Sequence, residues 1–242
     1  MRISLVTGAN KGIGFEIARQ LGGTVLLGAR DEERGRKAEL ELRAEHVDAR
    51  FVHVDVTDTD TIEKAATWIG EEFGQLDALI NNAGSSLLDW NVSPSEVPLD
   101  AVRRTYEVNV IGPIALINAM LPLLRKAPAA RIVNVSSRLG SLTSTTDWDS
   151  GVGRVNLLAY NSSKSALNSI TVSYAKELRD TPIKVNAVNP GFCDTDMAAD
   201  MARGNRGLRS AAEGARAAVM AALLPEDGPT GTFFGEDGPL PW

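Results

Sequence analysis

The sequence predicts a doubly wound α/β fold, on two observations. Short β-branched runs alternate with helical segments along the chain, and a glycine turn, "TGANKGIG", joins the first run to the first helix. Strand and helix in strict rotation need right-handed βαβ crossovers, which build a parallel sheet covered by helices on both faces. "ISLVT" leads into a helix from Ile13 to Leu21, "TVLLGA" into one through "RGRKAELELRAE", and "RFVHVDV" into "DTIEKAATWIGEEF". "LDALINNAG" then precedes a helix around "AVRRTYEVNVIGPIALINAMLPLL", "ARIVNVSS" precedes one through "LLAYNSSKSALNSITVSYAKELR", and "IKVNAVNPG" supplies a further strand. The tail "GPTGTFFGEDGPLPW" reads as a last strand followed by an ordered end with Trp242 packed. No linker, low-complexity tract or repeat breaks the rhythm, so residues 1–242 read as a single domain with a parallel sheet of about seven strands.

Composition narrows the function. A chain with 43% hydrophobic and 23% charged residues is an ordinary globular one, and its length lets it bury roughly three quarters of its unfolded surface. The net charge of −6, with Lys and Arg scattered, argues against a nucleic-acid surface. "RDEERGRKAELELRAE" mixes its signs as a solvated helix face does. "MRISLVTGAN" carries no apolar leader, and no apolar run approaches the ~20 residues that cross a bilayer, so a soluble cytoplasmic protein without a membrane partner is expected. Cys193 stands alone, and His46 and His53 have no zinc-ligand pattern around them, so neither disulfide nor metal chemistry is expected.

In the glycine turn, Gly8, Gly12 and Gly14 let the backbone approach a ligand, and the helix that follows has no acid near its start. Its free N–H groups suit a pyrophosphate. The spacing is GxxxGxG, and no Lys-Ser/Thr follows Gly14, so a dinucleotide fits better than a P-loop guest. A plain strand-to-helix turn is the alternative. At the end of the second strand, where an acid would accept from a ribose 2′-OH, the sequence reads "LLGARDEE". Ala29 occupies that place, Arg30 follows it, and Lys11 lies in the turn, a set that favours NADP(H) over NAD(H), with Asp31 pulling the other way.

Tyr160 and Lys164, in "YNSSK", lie one helical turn apart on a common face. A phenol with an ordinary pKa near 10 needs a nearby cation to exchange a proton near neutrality. "IVNVSS" ends a strand in two serines, of which Ser137 could donate to a carbonyl oxygen as charge develops there; Ser136 is the alternative nearer the sheet.

Taken together, "TGANKGIG", "NNAG" at 81–84, "YEVNVIG", "VNVSS", "YNSSK" and "NPGFCDT" resemble the short-chain dehydrogenase/reductase family over nearly the whole chain, and "GANKGIGFEIARQL" with "GARD" looks most like its NADPH-dependent carbonyl reductases. The resemblance implies a Rossmann fold and reduction of a ketone, aldehyde or quinone. It implies Tyr160 as acid/base, Lys164 on the nicotinamide ribose lowering the tyrosine pKa, Ser137 polarising the carbonyl, and Asn109 holding a water of the proton relay. It further implies that Gly8, Gly12 and Gly14 receive the pyrophosphate and Asp55 the adenine amino group, with Asn10, Lys11, Ile13, Arg30 and Val56 also contacting the cofactor. Asn82, Ala83 and Gly84 would flank the cofactor, and Pro190, Gly191 and Thr195 would turn over the nicotinamide.

A reductase dedicated to one biosynthetic intermediate, an alcohol dehydrogenase working oxidatively, and a non-catalytic NADPH-sensing regulator are the other readings. The stretch from Ser137 to Tyr160 is longer than the family's usual gap and shorter than the large insertion of its monomeric carbonyl reductases. It is expected to line the substrate entrance with Trp148 facing the pocket, packing away from the site being the alternative. A homodimer or homotetramer is expected, with a monomer also credible. Residues 85–98 and 191–209 follow strands and are candidate pocket walls, and Leu87, Leu88, Trp90, Phe192 and Met197 suggest an apolar site for a bulky carbonyl. Cys193 reads as a pocket-side or buried thiol without a catalytic part.

Overall fold

Alternate residues of the central strands feed two separate apolar layers, as the period-two geometry of a strand requires. In the computed structural model, which describes residues 2–86, 92–196 and 208–242, β1 (Ile3–Thr7) sends Leu5 to one layer and Val6 to the other. Strand β5 (Arg131–Val135) divides Ile132 from Val133 in the same way. Both strands are buried from end to end, which is why they read as nearly continuous apolar runs.

The remaining strands are β2 (Thr24–Ala29), β3 (Asp48–His53), β4 (Ala78–Asn81), β6 (Lys184–Val188), β7 (Phe233–Gly235) and β8 (Gly238–Pro239). Their order is β3-β2-β1-β4-β5-β6-β7-β8. Neighbours are parallel from β3 to β7, as expected, and the sheet gains one element that the sequence reading folded into the tail: β8 turns back antiparallel on β7. Trp242 stacks on Phe233 with ring centroids 5.6 Å apart, and its carbonyl accepts from Thr143 N at 3.0 Å, so the chain end is ordered.

Helices α1 (Gly12–Leu21), α2 (Glu32–Ala44) and α8 (Ala211–Ala222) cover the Val6 layer through Ile17, Ala38 and Ala218. Helices α3 (Thr59–Phe73), α5 (Gly112–Leu124) and α7 (Leu158–Glu177) cover the Leu5 layer through Ile62, Leu116 and Ala175. Helix α4 (Leu99–Tyr106) runs through a π-helical turn, Glu107–Ile111, directly into α5. The resulting rod, Leu99–Leu124, is long and apolar enough to cross a membrane by length and composition, where the sequence showed no single apolar run of that length. In the fold its buried side faces the sheet and α3.

Strand order reverses between β1 and β4, so the crevice beyond their carboxyl ends is where this topology receives ligands. Its floor is set by Gly14, where a Cβ would lie 2.4 Å from the Gly8 carbonyl oxygen and 2.5 Å from Asn82 Nδ2. We expect Gly14→Ala to cost about 1–3 kcal/mol of stability through overpacking against backbone. Urea unfolding measures it, and an unchanged midpoint would show that the turn yields.

Candidate active site

Thr7 ends β1 with its side chain inward, and this one hydroxyl accepts from Asn82 N at 3.1 Å and Ala83 N at 3.0 Å. Asn82 Nδ2 reaches back to the Thr7 carbonyl at 2.9 Å. The "NNAG" turn is thereby bound to the glycine turn, and of the expected cofactor residues Gly8, Asn82, Ala83 and Gly84 lie together at the crevice. Gly8 takes the positive φ of 66° that a side chain would resist. Helix α1 opens with no side-chain cap and no acid in its first turn, leaving the N–H groups of Gly12, Ile13 and Gly14 for an anion. Asn10 is half-buried beside them, and Lys11 is exposed and pairs with Asp196.

Arg30 lies exposed at the end of β2. Asp55 Oδ1 accepts from Thr57 N and Thr57 Oγ1 at 2.9 and 2.8 Å, which fixes the turn that carries Val56. Thr7 was missed in the sequence because a threonine at a strand end carries no signal of its own.

The two serines of "VNVSS" divide. Ser136 is buried and donates to Asn168 Oδ1 at 2.6 Å, so its hydroxyl is committed to the interior. Ser137 is half-buried, caps the 3₁₀ turn Arg138–Gly140 by accepting from Leu139 N at 3.2 Å, and lies near enough to Tyr160 to draw its phenol pKa down. Gly140, unremarked in the sequence, makes this approach possible. A Cβ there would lie 2.6 Å from the Lys164 carbonyl carbon, so only glycine lets the serine turn rest on α7. The Gly140 carbonyl then accepts from Ser165 Oγ at 2.9 Å and Asn168 Nδ2 at 3.2 Å.

Tyr160 and Lys164 occupy the face of α7 turned to this serine, with Lys164 Nζ 5.7 Å from the centre of the Tyr160 ring. Lys164 is 4% exposed and donates to the Val135 carbonyl at 2.8 Å. Burial lowers its pKa from 10.5 to about 8. Burial also pushes the Tyr160 phenol above its ordinary value, and the contact with Ser137 draws it partly back.

Asn109 sits at the π-helical turn and is fully buried. Its Oδ1 accepts from Ser85 N at 2.8 Å, while Nδ2 donates to the Ser85 carbonyl and to Ser163 Oγ, both at 2.9 Å. Ser163 Oγ in turn donates to the Tyr160 carbonyl at 2.7 Å, so Asn109 ties the loop after β4 to the helix bearing Tyr160. Both of its amide hydrogens are taken, which leaves a water only its oxygens.

After β6, Asn189 Oδ1 accepts from Arg138 N at 3.1 Å, fixing the serine turn from the other side. Pro190, Gly191 and Thr195 follow, with Thr195 Cγ2 3.7 Å from where a Gly12 Cβ would be. Cys193 is buried, its thiol pushed up by burial, with Sγ 3.4 Å from the Pro190 carbonyl oxygen. It pairs as a β-bridge with Arg209, which closes the base of this excursion. Phe192 is exposed. Trp148 is 78% exposed, so it is not packed away in the interior. Leu87, Leu88, Trp90 and Met197 lie outside the described residues.

A family model described as short chain dehydrogenase matches residues 2–206. (−)-Isopiperitenone reductase of Mentha piperita is 33% identical, the match covering 99% of this chain and 98% of that protein. Carbonyl reductase (NADPH) 1 of Bos taurus is 32% identical over 99% of this chain and 98% of its own. That alignment spans 281 positions against 242 residues here, so the bovine protein carries segments this chain lacks. The solved structure of NADPH-bound carbonyl reductase from chicken fatty liver superposes with a TM-score of 0.84 at 29% identity, covering 100% of both chains.

The serines give a direct test. Ser136→Ala orphans Asn168 Oδ1 and should cost about 1–3 kcal/mol of stability while leaving turnover within a few-fold. Ser137→Ala loses only the cap to Leu139 N, about 0.5–2 kcal/mol, and should remove most turnover; a loss of turnover in Ser136→Ala and not in Ser137→Ala would exchange their roles.

Proposed function

This chain belongs to the short-chain dehydrogenase/reductase family, and from that premise we propose that it is an NADPH-dependent reductase of ketones, aldehydes or quinones. The observation that carries the reading is the convergence of Ser137, Tyr160 and Lys164 at the carboxyl edge of the sheet, beside an uncapped helix start. The residues present fit a dinucleotide. The missing Cβ atoms of Gly8 and Gly14 leave a backbone-lined floor, α1 offers unpaired N–H groups, and Lys11 stands exposed where Ala29 supplies no opposing acid. The choice of NADPH over NADH rests on Lys11 and Arg30 and on the cofactor named for the bovine and chicken relatives.

When bound, the nicotinamide supplies a hydride to the carbonyl carbon. The chain's part is to manage the oxygen. Ser137, held by its turn, donates to that oxygen as negative charge gathers on it. Tyr160 delivers the proton, and its raised pKa keeps it in the protonated form that a donor requires. Lys164 then faces a forming phenolate across a dry interior, where a nearby ammonium stabilises it far more than in water. Its remaining N–H donors are available to the cofactor's ribose hydroxyls, and Asn109 keeps α7 in register with the loop after β4.

Tyr160→Phe should lower kcat by about 10²–10⁴-fold with NADPH affinity within a few-fold. Near-wild-type turnover would remove Tyr160 from the acid role. The free-enzyme pKa of Lys164 gives a second test. Because its charged form is lost as pH rises through about 8, and Tyr160 titrates well above, kcat/KM for reduction should fall with a basic limb near pH 8. Lys164→Arg should remove that limb below pH 10, whereas an identical limb in the variant would assign it elsewhere.

A further inference from the structure

The ion pair between Lys11 and Asp196 joins two segments that the crevice otherwise separates. Lys11 precedes the first turn of α1, and Asp196 ends the described part of the chain after β6. Next to it, Thr195 Cγ2 lies 3.7 Å from where a Gly12 Cβ would be. Asp196 therefore lies over the glycine turn, with its carboxylate on the cation that the cofactor reading assigns to the 2′-phosphate. A second cation acts on the same carboxylate from further off, its own ion pair being with Asp31. Arg34, in the first turn of α2, adds to the pull that Lys11 exerts and holds Asp196 below the usual carboxylate range. Arg34 was not among the residues singled out in the sequence; Arg30, four positions earlier, was.

An acid placed on a phosphate-reading lysine has one physical consequence: the phosphate must displace it. We propose that Asp196 is a built-in competitor of the cofactor's 2′-phosphate, holding Lys11 until the phosphate replaces it, so that NADPH binding and release of Asp196 from the glycine turn are one event. The proposal rests on the NADPH reading above and adds the residue that tunes it. Free Lys11 is only part of the population, so apparent affinity for a 2′-phosphorylated cofactor is reduced by that fraction. A cofactor without the phosphate makes no such claim on Lys11 and is not taxed. With side chains 57% and 78% exposed, the pair is in the range of surface ion pairs, so the effect is small and sensitive to salt.

The test is fluorescence titration of NADPH and NADH on the full chain, as wild type, Asp196→Asn, Lys11→Ala and the double variant. We expect D196N to tighten NADPH about two- to fivefold and to leave NADH unchanged. The gain should disappear in the Lys11→Ala background and fade at 0.5 M salt, where the screening length drops to about 4 Å. Unchanged or weaker NADPH binding in D196N overturns the proposal, as does equal tightening of NADPH and NADH, which would make Asp196 a general closing contact. Those outcomes leave the NADPH reading intact. Equal binding of the two cofactors by wild type and by Lys11→Ala would overturn that reading, and this inference with it.

Discussion

At Gly14 a helix crosses the end of a strand with no room for a side chain, the Gly8 carbonyl on one side and the Asn82 amide on the other. Because that space is empty of a Cβ, Asn82 can reach the Thr7 carbonyl and the Thr7 hydroxyl can collect two backbone N–H groups from the turn after β4. The ends of β1 and β4 are thus bound together where the strand order reverses, and the crevice floor is backbone. Backbone held by secondary structure has little freedom to drift, so groups arrayed above it keep their spacing. Ser137, Tyr160 and the loop after β6 are all positioned relative to that floor.

The catalytic helix meets this floor with a charge that burial disfavours. Lys164 is almost completely enclosed and has no carboxylate among the causes of its shift, so its folded pKa of about 8 lies below the ordinary 10.5. Linkage gives the sign: below pH 8 both states carry the proton and the folded state bears the full desolvation cost. Between 8 and 10.5 the folded state loses the proton first, and the cost is relieved as pH rises. The ammonium is therefore held against its own stability interest, which makes sense for a group whose work is to meet negative charge arriving with the reaction. The phenol beside it is shifted the opposite way by the same burial, so the acid and the cation stay distinct until a proton moves.

How much of this could be read beforehand follows from the range of each interaction. The strand and helix sequence was legible because burial on both faces leaves apolar runs that local patterning records. Gly8, Gly12, Gly14, Tyr160 and Lys164 were legible because their spacing is itself the signal. What escaped were partners set by tertiary contact: Thr7, whose hydroxyl collects the turn after β4; Gly140, glycine because Lys164 lies 2.6 Å from its missing Cβ; and Asn168, which takes Ser136 out of the chemistry. The choice between Ser136 and Ser137 depended on which way the strand end faced, and a two-residue edge strand such as β8 is too short to leave a pattern. Trp148 was illegible for a different reason, since an aromatic in an insertion of unusual length has no template for its direction.

The chain after β6 connects these parts. Asn189 holds the serine turn through the Arg138 N–H, Cys193 is buried against α8 at Gly214, and Asp196 reaches the glycine turn seven residues further on. One short segment thus touches the serine turn through Arg138 at one end and Lys11 of the glycine turn at the other. Its middle is fixed by the buried cysteine and the bridge to Arg209, while Asp196 meets Lys11 in an exposed ion pair. A segment anchored that way can exchange partners at its loose end without disturbing Ser137. The Lys11–Asp196 pair can therefore open while the serine, tyrosine and lysine geometry stays in place.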